Sequence, residues 1–541
     1  MIKVDKIKQN KIFRFVTNRK FIVIAIAILT AIAMIITGIV LVHTALGFIP
    51  ADEISEAGET HNNLIRLEIY KLGFFLLIIV SAGVVLILIT LRIGLEYIFL
   101  AAALGLGLVY MFSITPFSAG DEPHHYQSAY IISGYMLFDE NPFKIDSSLL
   151  DYDRLAGHQN VPSAYLRFME QGIYINRGEV EMIDIHMQDT YTLDYPFFYL
   201  PQALGISIAR IIGLSFFGVF YLGRLFNLLF FILCVFLSIK RLEAFKLPVL
   251  LLGLLPMCLH QAASFSNDTF VFGISILFFA YAVSCMYEKN SFRWGDYIML
   301  LVTSMLLAPA KVVYFPVILL VFLIAWRWKT EIKWKAWLLA GSIVAASAAM
   351  IVVFMGSSTA GLAGESPVNW EGGNNFTLSF IIENPLKTAE MYLRSMYHWR
   401  DFYFYSMFGQ FLSGLTLVLP KWYIQVTIIL LIAGITYGKR GEWQPSIWDR
   451  AFFFMICAAV VILNFTAMML GWTSDWHTLV LGIQGRYFIP ILPLALLMLK
   501  NRFTLVSKQI YHDSLITGYM LMQSVIVAYI LTYTVGLYVI I

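Results

Sequence analysis

The stretch Phe217-Gly-Val-Phe-Tyr-Leu-Gly-Arg224-Leu-Phe-Asn227-Leu-Leu-Phe-Phe-Ile-Leu-Cys234-Val-Phe-Leu-Ser-Ile239-Lys240-Arg241 decides the fold. It stays apolar for longer than the roughly 20 residues that a helix needs to cross the hydrocarbon core of a bilayer, and it closes on two bases. About a dozen segments of the chain read in the same way. Strands of a membrane barrel would alternate apolar and polar positions instead, so the expected fold class is an all-α polytopic membrane protein.

Working outward, the apolar runs place helices at roughly 21–44, 72–92, 94–114, 217–239, 247–265, 269–287, 296–310, 312–327, 336–355, 418–437, 452–470, 488–500 and 515–540, about 13 in all. With the basic N-terminus (Lys3, Lys6, Lys8, Lys11, Arg14, Arg19, Lys20) in the cytoplasm, the loops carrying Lys240, Arg241 and Lys246, then Lys289 and Arg293, then Arg327, Lys329, Lys333 and Lys335 fall on the same side. The loops with Lys439, Arg440 and Arg450, and with Lys500, Arg502 and Lys508, join them, while the acidic stretch Asp52, Glu53, Glu56 and Glu59 falls outside. This parity requires that 196–213 lie in the interface or re-enter without crossing. The organisation expected is an N-terminal part (1–93) with two extra helices, a core (94–355) that includes an external loop at 115–195, a second external loop (356–417) and C-terminal helices (418–541). A short third external segment covers 471–487.

The composition agrees with lipid as the solvent. Of 541 residues, 59% are hydrophobic and only 13% charged, against about 25% charged in soluble domains. A net charge of +3 gives no reason to expect a nucleic-acid partner. All four cysteines (Cys234, Cys258, Cys285, Cys457) fall inside apolar runs, which favours inert thiols over a disulfide framework.

Function is expected on the external loops. Just past the third helix comes Ser118-Ala-Gly-Asp121-Glu122-Pro123-His124-His125-Tyr126, an ionisable cluster at an apolar boundary. Pro123 suits the first turn of a helix, so Asp121 is either its N-cap or, with Glu122, a candidate general base whose pKa partial desolvation would raise. Glu122, His124 and His125 could alternatively hold a metal, although adjacent histidines leave a helix on different sides. Asp268, in Ser266-Asn-Asp-Thr269, is a second acidic position in what is otherwise an ordinary capping turn. Lys311 lies between two apolar runs too short to span comfortably, where an ionisable group by default marks a site. Arg486 opens a late helix on the same face, and Arg394, His398 and Arg400 lie in the second external loop. Cations on one side of a bilayer suit an anionic lipid headgroup. Many aromatic residues (Tyr126, Tyr130, Tyr135, Tyr165, Tyr191, Tyr195, Tyr199, Trp399, Tyr403, Tyr405, Trp472, Trp476) belong to the same face, as an interfacial belt or as platforms for sugar rings.

Asp121-Glu-Pro-His124 with Ser133-Gly134, Asn267-Asp268, Lys311, and Gln484-Gly-Arg-Tyr-Phe-Ile-Pro-Ile-Leu-Pro493 together resemble a family of bacterial multi-spanning proteins of unknown function, itself similar to the GT-C superfamily of membrane glycosyltransferases. Tyr195-Pro-Phe-Phe-Tyr199 resembles the tyrosine-proline stretch that closes the first loop there. The resemblance implies a GT-C-like bundle that takes a polyprenyl-phosphate sugar from the bilayer and passes the sugar, with inversion, to a cell-envelope glycan outside the cytoplasm. It implies Asp121 or Glu122 as base, Lys311 and Arg486 on the lipid phosphate, and His124, His125, Asp268, Arg400 and Tyr195 around donor or acceptor. Some relatives use a divalent cation and others do not, so no cofactor is assigned. The alternatives are a flippase or transporter of a lipid-linked saccharide and a noncatalytic partner that binds the lipid carrier.

Overall fold

Seven helices among the described residues are long and apolar enough to cross a membrane, and the breaks between apolar runs bring polar side chains to their ends. The computed structural model describes residues 56–149, 172–176, 178, 180–185, 195–288, 293–328, 333–355, 374–439, 441–502 and 505–535. The helix expected at 21–44, the basic segment before it, Asp52 and Glu53, Tyr165 and Tyr191, Lys289, Lys329, Arg440 and 356–373 lie outside them.

In chain order the elements are α1 (Glu56–Thr90), α2 (Leu95–Ser113), α3 (Glu122–Met136), β1 (Lys144–Asp146), β2 (Met182–Asp184), α4 (Leu200–Ile212) and α5 (Phe216–Arg241). Then come α6 (Lys246–Gly253), α7 (Pro256–Ala262), α8 (Asp268–Val283), α9 (Trp294–Ala310), α10 (Phe315–Ile318), α11 (Leu320–Arg327) and α12 (Lys333–Met355). The C-terminal part holds α13 (Leu378–Glu383), α14 (Pro385–His398), α15 (Arg400–Met407), β3 (Phe411–Leu412), β4 (Leu417–Val418), α16 (Lys421–Ile435), α17 (Ile447–Gly471), α18 (Leu492–Leu499) and α19 (Gln509–Val535). The strands form two small antiparallel pairs, β1 with β2 and β3 with β4.

The long spans are α1, α2, α5, α8, α12, α17 and α19, with shorter apolar helices between them. Helix α5 packs against α2, α4 and α8, α9 packs against α12, and α1 lies on α2 and α19. The surface of α1 shows what the solvent is: Phe74, Val85 and Leu88 are buried, while Leu72, Leu76, Ile79 and Leu86 face outward. In water such a face would be costly; against lipid tails it is not.

Proline sets the main departures from the expected helix pattern. The run expected as one helix at 247–265 is two, α6 and α7, because Pro256 supplies no N–H and holds Leu255 in an extended conformation (φ −57°, ψ 141°). The run at 312–327 is likewise a 3-10 turn followed by α10 and α11, with Pro316 at the start of α10. Residues 196–213 form a 3-10 turn (Pro196–Tyr199) and α4, which turns back at Gly213 and packs along α5 with Leu200, Leu204, Ile211 and Ile212 exposed.

The two ends of the bundle carry different chemistry. Helix α8 with its π-helical extension runs 21 residues, Asp268 to Glu288, or about 30 Å. At the Glu288 end, basic and acidic groups pair with one another: Arg241 with Asp296 at 2.9 Å, Lys500 with Glu442 at 2.9 Å, and Arg327 with Asp449. Asp268 lies at the other end, among the residues singled out above.

Candidate functional site

Four helix ends meet around Asp268. Its place is set by the turn that precedes α8. The Asn227 amide, on α5, donates to Ser264 O at 2.7 Å and to Thr269 Oγ1 at 3.0 Å, and the Ser266 hydroxyl donates to Gln261 Oε1 at 2.5 Å. The Asp268 backbone N–H then donates to Ser266 Oγ at 3.2 Å, and no side chain caps α8. The Asp268 carboxylate is therefore not used as a helix cap, as a plain capping turn would have it. It accepts from Lys311 Nζ at 2.5 Å through Oδ1, and Arg486 Nε stands 2.9 Å from Oδ2.

Each cation is delivered by a break. Pro309 lies in the last turn of α9, and the chain leaves that helix at Lys311 in an extended conformation. Arg486 is the second residue of the 3-10 turn Gly485–Ile491 that leads into α18. That turn is held against α15: the Gly485 N–H donates to Ser406 Oγ at 3.0 Å, and a Cβ on Gly485 would stand 2.1 Å from Tyr403 O. Both cations lie beside the Tyr487 ring, at 5.1 Å for Lys311 and 5.7 Å for Arg486, and Tyr314 fixes Tyr487 by donating to its carbonyl at 2.9 Å. The Arg486 Nε–H is buried and directed at no acceptor, so its contact with Asp268 is one of charge rather than a directed hydrogen bond.

The two neighbouring acids at the start of α3 do different things. Glu122 is fully enclosed: Oε1 accepts from Arg224 Nε at 2.8 Å and from the Phe265 N–H at 2.8 Å, and Oε2 accepts from Arg224 Nη2 at 2.7 Å. The remaining Arg224 donors go to the carbonyls of Met111, Ile114 and Thr115, closing the end of α2. Asp121 precedes α3 in the left-handed region (φ 59°, ψ 14°), where Asp and Asn are the tolerated non-glycine residues, and its side chain makes no cap hydrogen bond. Asp121 is exposed and opens into a cavity of about 290 Å³ together with Arg486, His260, Gln484 and Trp472.

His125 is buried behind this cavity, with Nδ1 2.8 Å from the Tyr199 hydroxyl. Burial is the largest influence on it, and Lys311 and Arg486 act in the same direction; against the opposing pull of Asp121 and Asp268 the imidazole is pushed down from 6.5 to about 4. His124 is half-buried on a neighbouring face of α3. Tyr195 donates to Leu306 O at 2.8 Å and packs on Phe198, Phe270 and Phe354, so it ties the start of the 3-10 turn Pro196–Tyr199 to α9, while Tyr199 is the tyrosine that meets His125. Arg400 is exposed on α15, beside Asp401 and over the Tyr397 ring. Among the described residues no three His, Cys, Asp or Glu side chains gather as a metal site would require, and Glu122 is committed to Arg224.

Asp121, His125, Asp268, Lys311 and Arg486 are thus brought together from the residues singled out in the sequence, and Arg400 stands apart. His260 was missed. Its Nε2 accepts the Ser413 N–H at 3.1 Å, and Ser413 Oγ reaches Ser118 O at 3.0 Å, docking the β3–β4 hairpin over the site. An ionisable residue inside an apolar run was the available signal.

Comparison with curated proteins and with solved structures gives no significant match. The family model described as "Predicted membrane protein (DUF2142)" matches residues 104–495, a span that contains Asp121, Asp268, Lys311 and Arg486, and the chain belongs to that family.

Proposed function

We propose that this chain is a GT-C-like membrane glycosyltransferase that moves a sugar from a polyprenyl-phosphate carrier to a hydroxyl of a cell-envelope glycan, on the extracytoplasmic face of the plasma membrane. The observation that carries the reading is that an exposed, uncapped carboxylate, Asp121, lines the same cavity as Arg486, whose partner Asp268 is shared with Lys311. Two cations against one carboxylate leave one net positive charge, which suits a phosphate that gains charge as it leaves.

In the reaction, Asp121 takes the proton of the acceptor hydroxyl as its oxygen bonds to the sugar C1. The bond from C1 to the phosphate oxygen breaks with its electron pair staying on the phosphate, which departs as the polyprenyl phosphate held by Arg486 and Lys311. Glu122 acts as a positioning residue, through Arg224 and the Phe265 N–H. His125, neutral at physiological pH, adds no charge beside the base.

Two of the polar groups inside the apolar helices, Arg224 and Asn464, have local partners: Arg224 is enclosed by Glu122 and three carbonyls, and Asn464 donates to Val460 O within its own helix. That supports a transferase over a flippase, which needs a polar path across the bilayer. The test is release of free polyprenyl phosphate from a labelled polyprenyl-phosphate sugar, by protein in lipid with a crude envelope glycan. Wild type should release it and Asp121→Asn should not, while both bind the donor. Donor binding without release from wild type, across a range of acceptors, would favour a flippase or a noncatalytic carrier-binding partner.

A further inference from the structure

The cavity beside Asp121 is walled by a short hairpin that the chain goes to some length to hold. Four residues of the backbone here have positive φ: Gly409 (98°), Ser413 (50°), Gly414 (60°) and Leu415 (70°). Gly409 is pressed so close to α7 that a Cβ would stand 2.7 Å from Met257 N. Ser413 is pinned by its N–H to His260 and by its hydroxyl to Ser118. A wall fixed in advance loses little freedom when something binds against it.

The cavity, at about 290 Å³, sits at the floor of the range for small-molecule sites, roughly 300 to 1,000 Å³. It has room for one ring and its waters. Phe411, Leu415 and Trp472 give it apolar faces, and the Gln484 amide and the Asp121 carboxylate add polar groups. Trp472 is 46% exposed and lines the cavity. The chemistry is that of a pyranose, with C–H faces for the aromatic rings and hydroxyls for the amide and carboxylate. A lipid tail would leave Asp121 and Gln484 unpaired, and an acidic sugar would place its carboxylate next to Asp121, whereas Arg486 already faces Asp268 and, in the reading above, the donor phosphate.

We infer that this cavity is a sugar subsite, which seats one neutral pyranose ring of the acceptor against Trp472 and the β3–β4 hairpin. The acceptor role rests on the transferase reading above; the recognition of a neutral ring does not. Seated there, the ring offers a hydroxyl to Asp121 with Arg486 beyond it, and the size of the cavity limits recognition to the terminal residue of a glycan. Trp472 and Leu415 are specificity residues in this assignment and take no part in proton transfer.

The experiment is equilibrium binding of a panel of methyl hexosides, methyl N-acetylhexosaminides and methyl uronides to the full chain in lipid nanodiscs, with polyprenyl phosphate binding measured on the same samples. At least one neutral glycoside should bind saturably and the uronides more weakly. Trp472→Leu and Leu415→Trp should each weaken it about tenfold, Trp472→Phe should retain most of the affinity, and polyprenyl phosphate binding should be unchanged in all three. Absence of binding across the neutral panel, or affinity indifferent to both Trp472→Leu and Leu415→Trp, overturns the assignment. A neutral glycoside that binds with these sensitivities while no acceptor supports polyprenyl phosphate release would remove the transferase reading and leave the sugar subsite. Release with an acceptor KM untouched by both variants would do the reverse.

Discussion

Arg224 and Glu122, 102 residues apart in sequence, face each other through two parallel hydrogen bonds of 2.8 and 2.7 Å with neither side chain reaching solvent. The pair joins α5 to the start of α3, and the Phe265 N–H draws in the chain before α8. Removing one partner of a buried pair leaves the other charge uncompensated, at a cost of about 3–5 kcal/mol. Glu122→Gln and Arg224→Met should each lower the thermal unfolding midpoint in detergent sharply, and the double variant should lose less than the sum. Single variants within about 1 kcal/mol of wild type would contradict the clamp.

Asp121 should behave in the opposite way to its neighbour. Its side chain caps no helix, and Asn tolerates the left-handed backbone as Asp does, so Asp121→Asn should unfold like wild type. Turnover should fall by about 10²–10⁴, the usual contribution of a general base, with donor affinity retained. The comparison of Glu122→Gln with Asp121→Asn, by unfolding midpoint and by polyprenyl phosphate release, separates the role of holding the loop from that of taking the proton. An Asp121→Asn protein with full turnover would remove Asp121 as base.

The charge around Asp268 gives an ordered set of affinities. Lys311 and Arg486 against Asp268 carry one net positive charge, Lys311→Met leaves none, and Asp268→Asn leaves two. Affinity for polyprenyl phosphate should follow that order, weakest in Lys311→Met and strongest in Asp268→Asn, with steps of at least about tenfold for partly buried charges. Salt should matter most for Asp268→Asn. Equal affinities in the three proteins would mean that the phosphate binds elsewhere.

Much of this arrangement was legible in the chain because lipid makes hydropathy a strong constraint. The spans that became α2, α5 and α8 with its π-helical extension are within a residue or two of the apolar runs, and the parity of basic loops placed Asp121, Asp268, Lys311 and Arg486 on one face. What could not be read is pairing over long separations. Nothing local to Glu122 distinguishes it from Asp121; the difference is made by Arg224. Tyr195 and Tyr199 stand one helical turn apart in one motif, yet one anchors Leu306 and the other meets His125. Strands of two residues, as in β3 and β4, are too short to show alternation, so the hairpin that walls the cavity left no periodic signal. The break between α6 and α7 did have a local cause in Pro256, which a reading by hydropathy alone passes over.

His125 makes the folded state sensitive to acid. Its imidazole is lowered from 6.5 to about 4 in the folded protein, chiefly by burial, so the unfolded chain takes up the proton first as pH falls. The contribution is whole above about pH 6.5 and is lost progressively between there and pH 4; the loss reaches about 2 kcal/mol by pH 5. Wild-type protein in detergent should therefore unfold at lower temperature at pH 5 than at pH 7.5, and part of that slope should vanish in His125→Gln. His124→Gln, altering the half-buried neighbour, should keep the slope, since His124 lies on a different face of α3 and only His125 is enclosed against Tyr199. If His125→Gln and His124→Gln change the pH dependence alike, the sensitivity does not come from the buried imidazole.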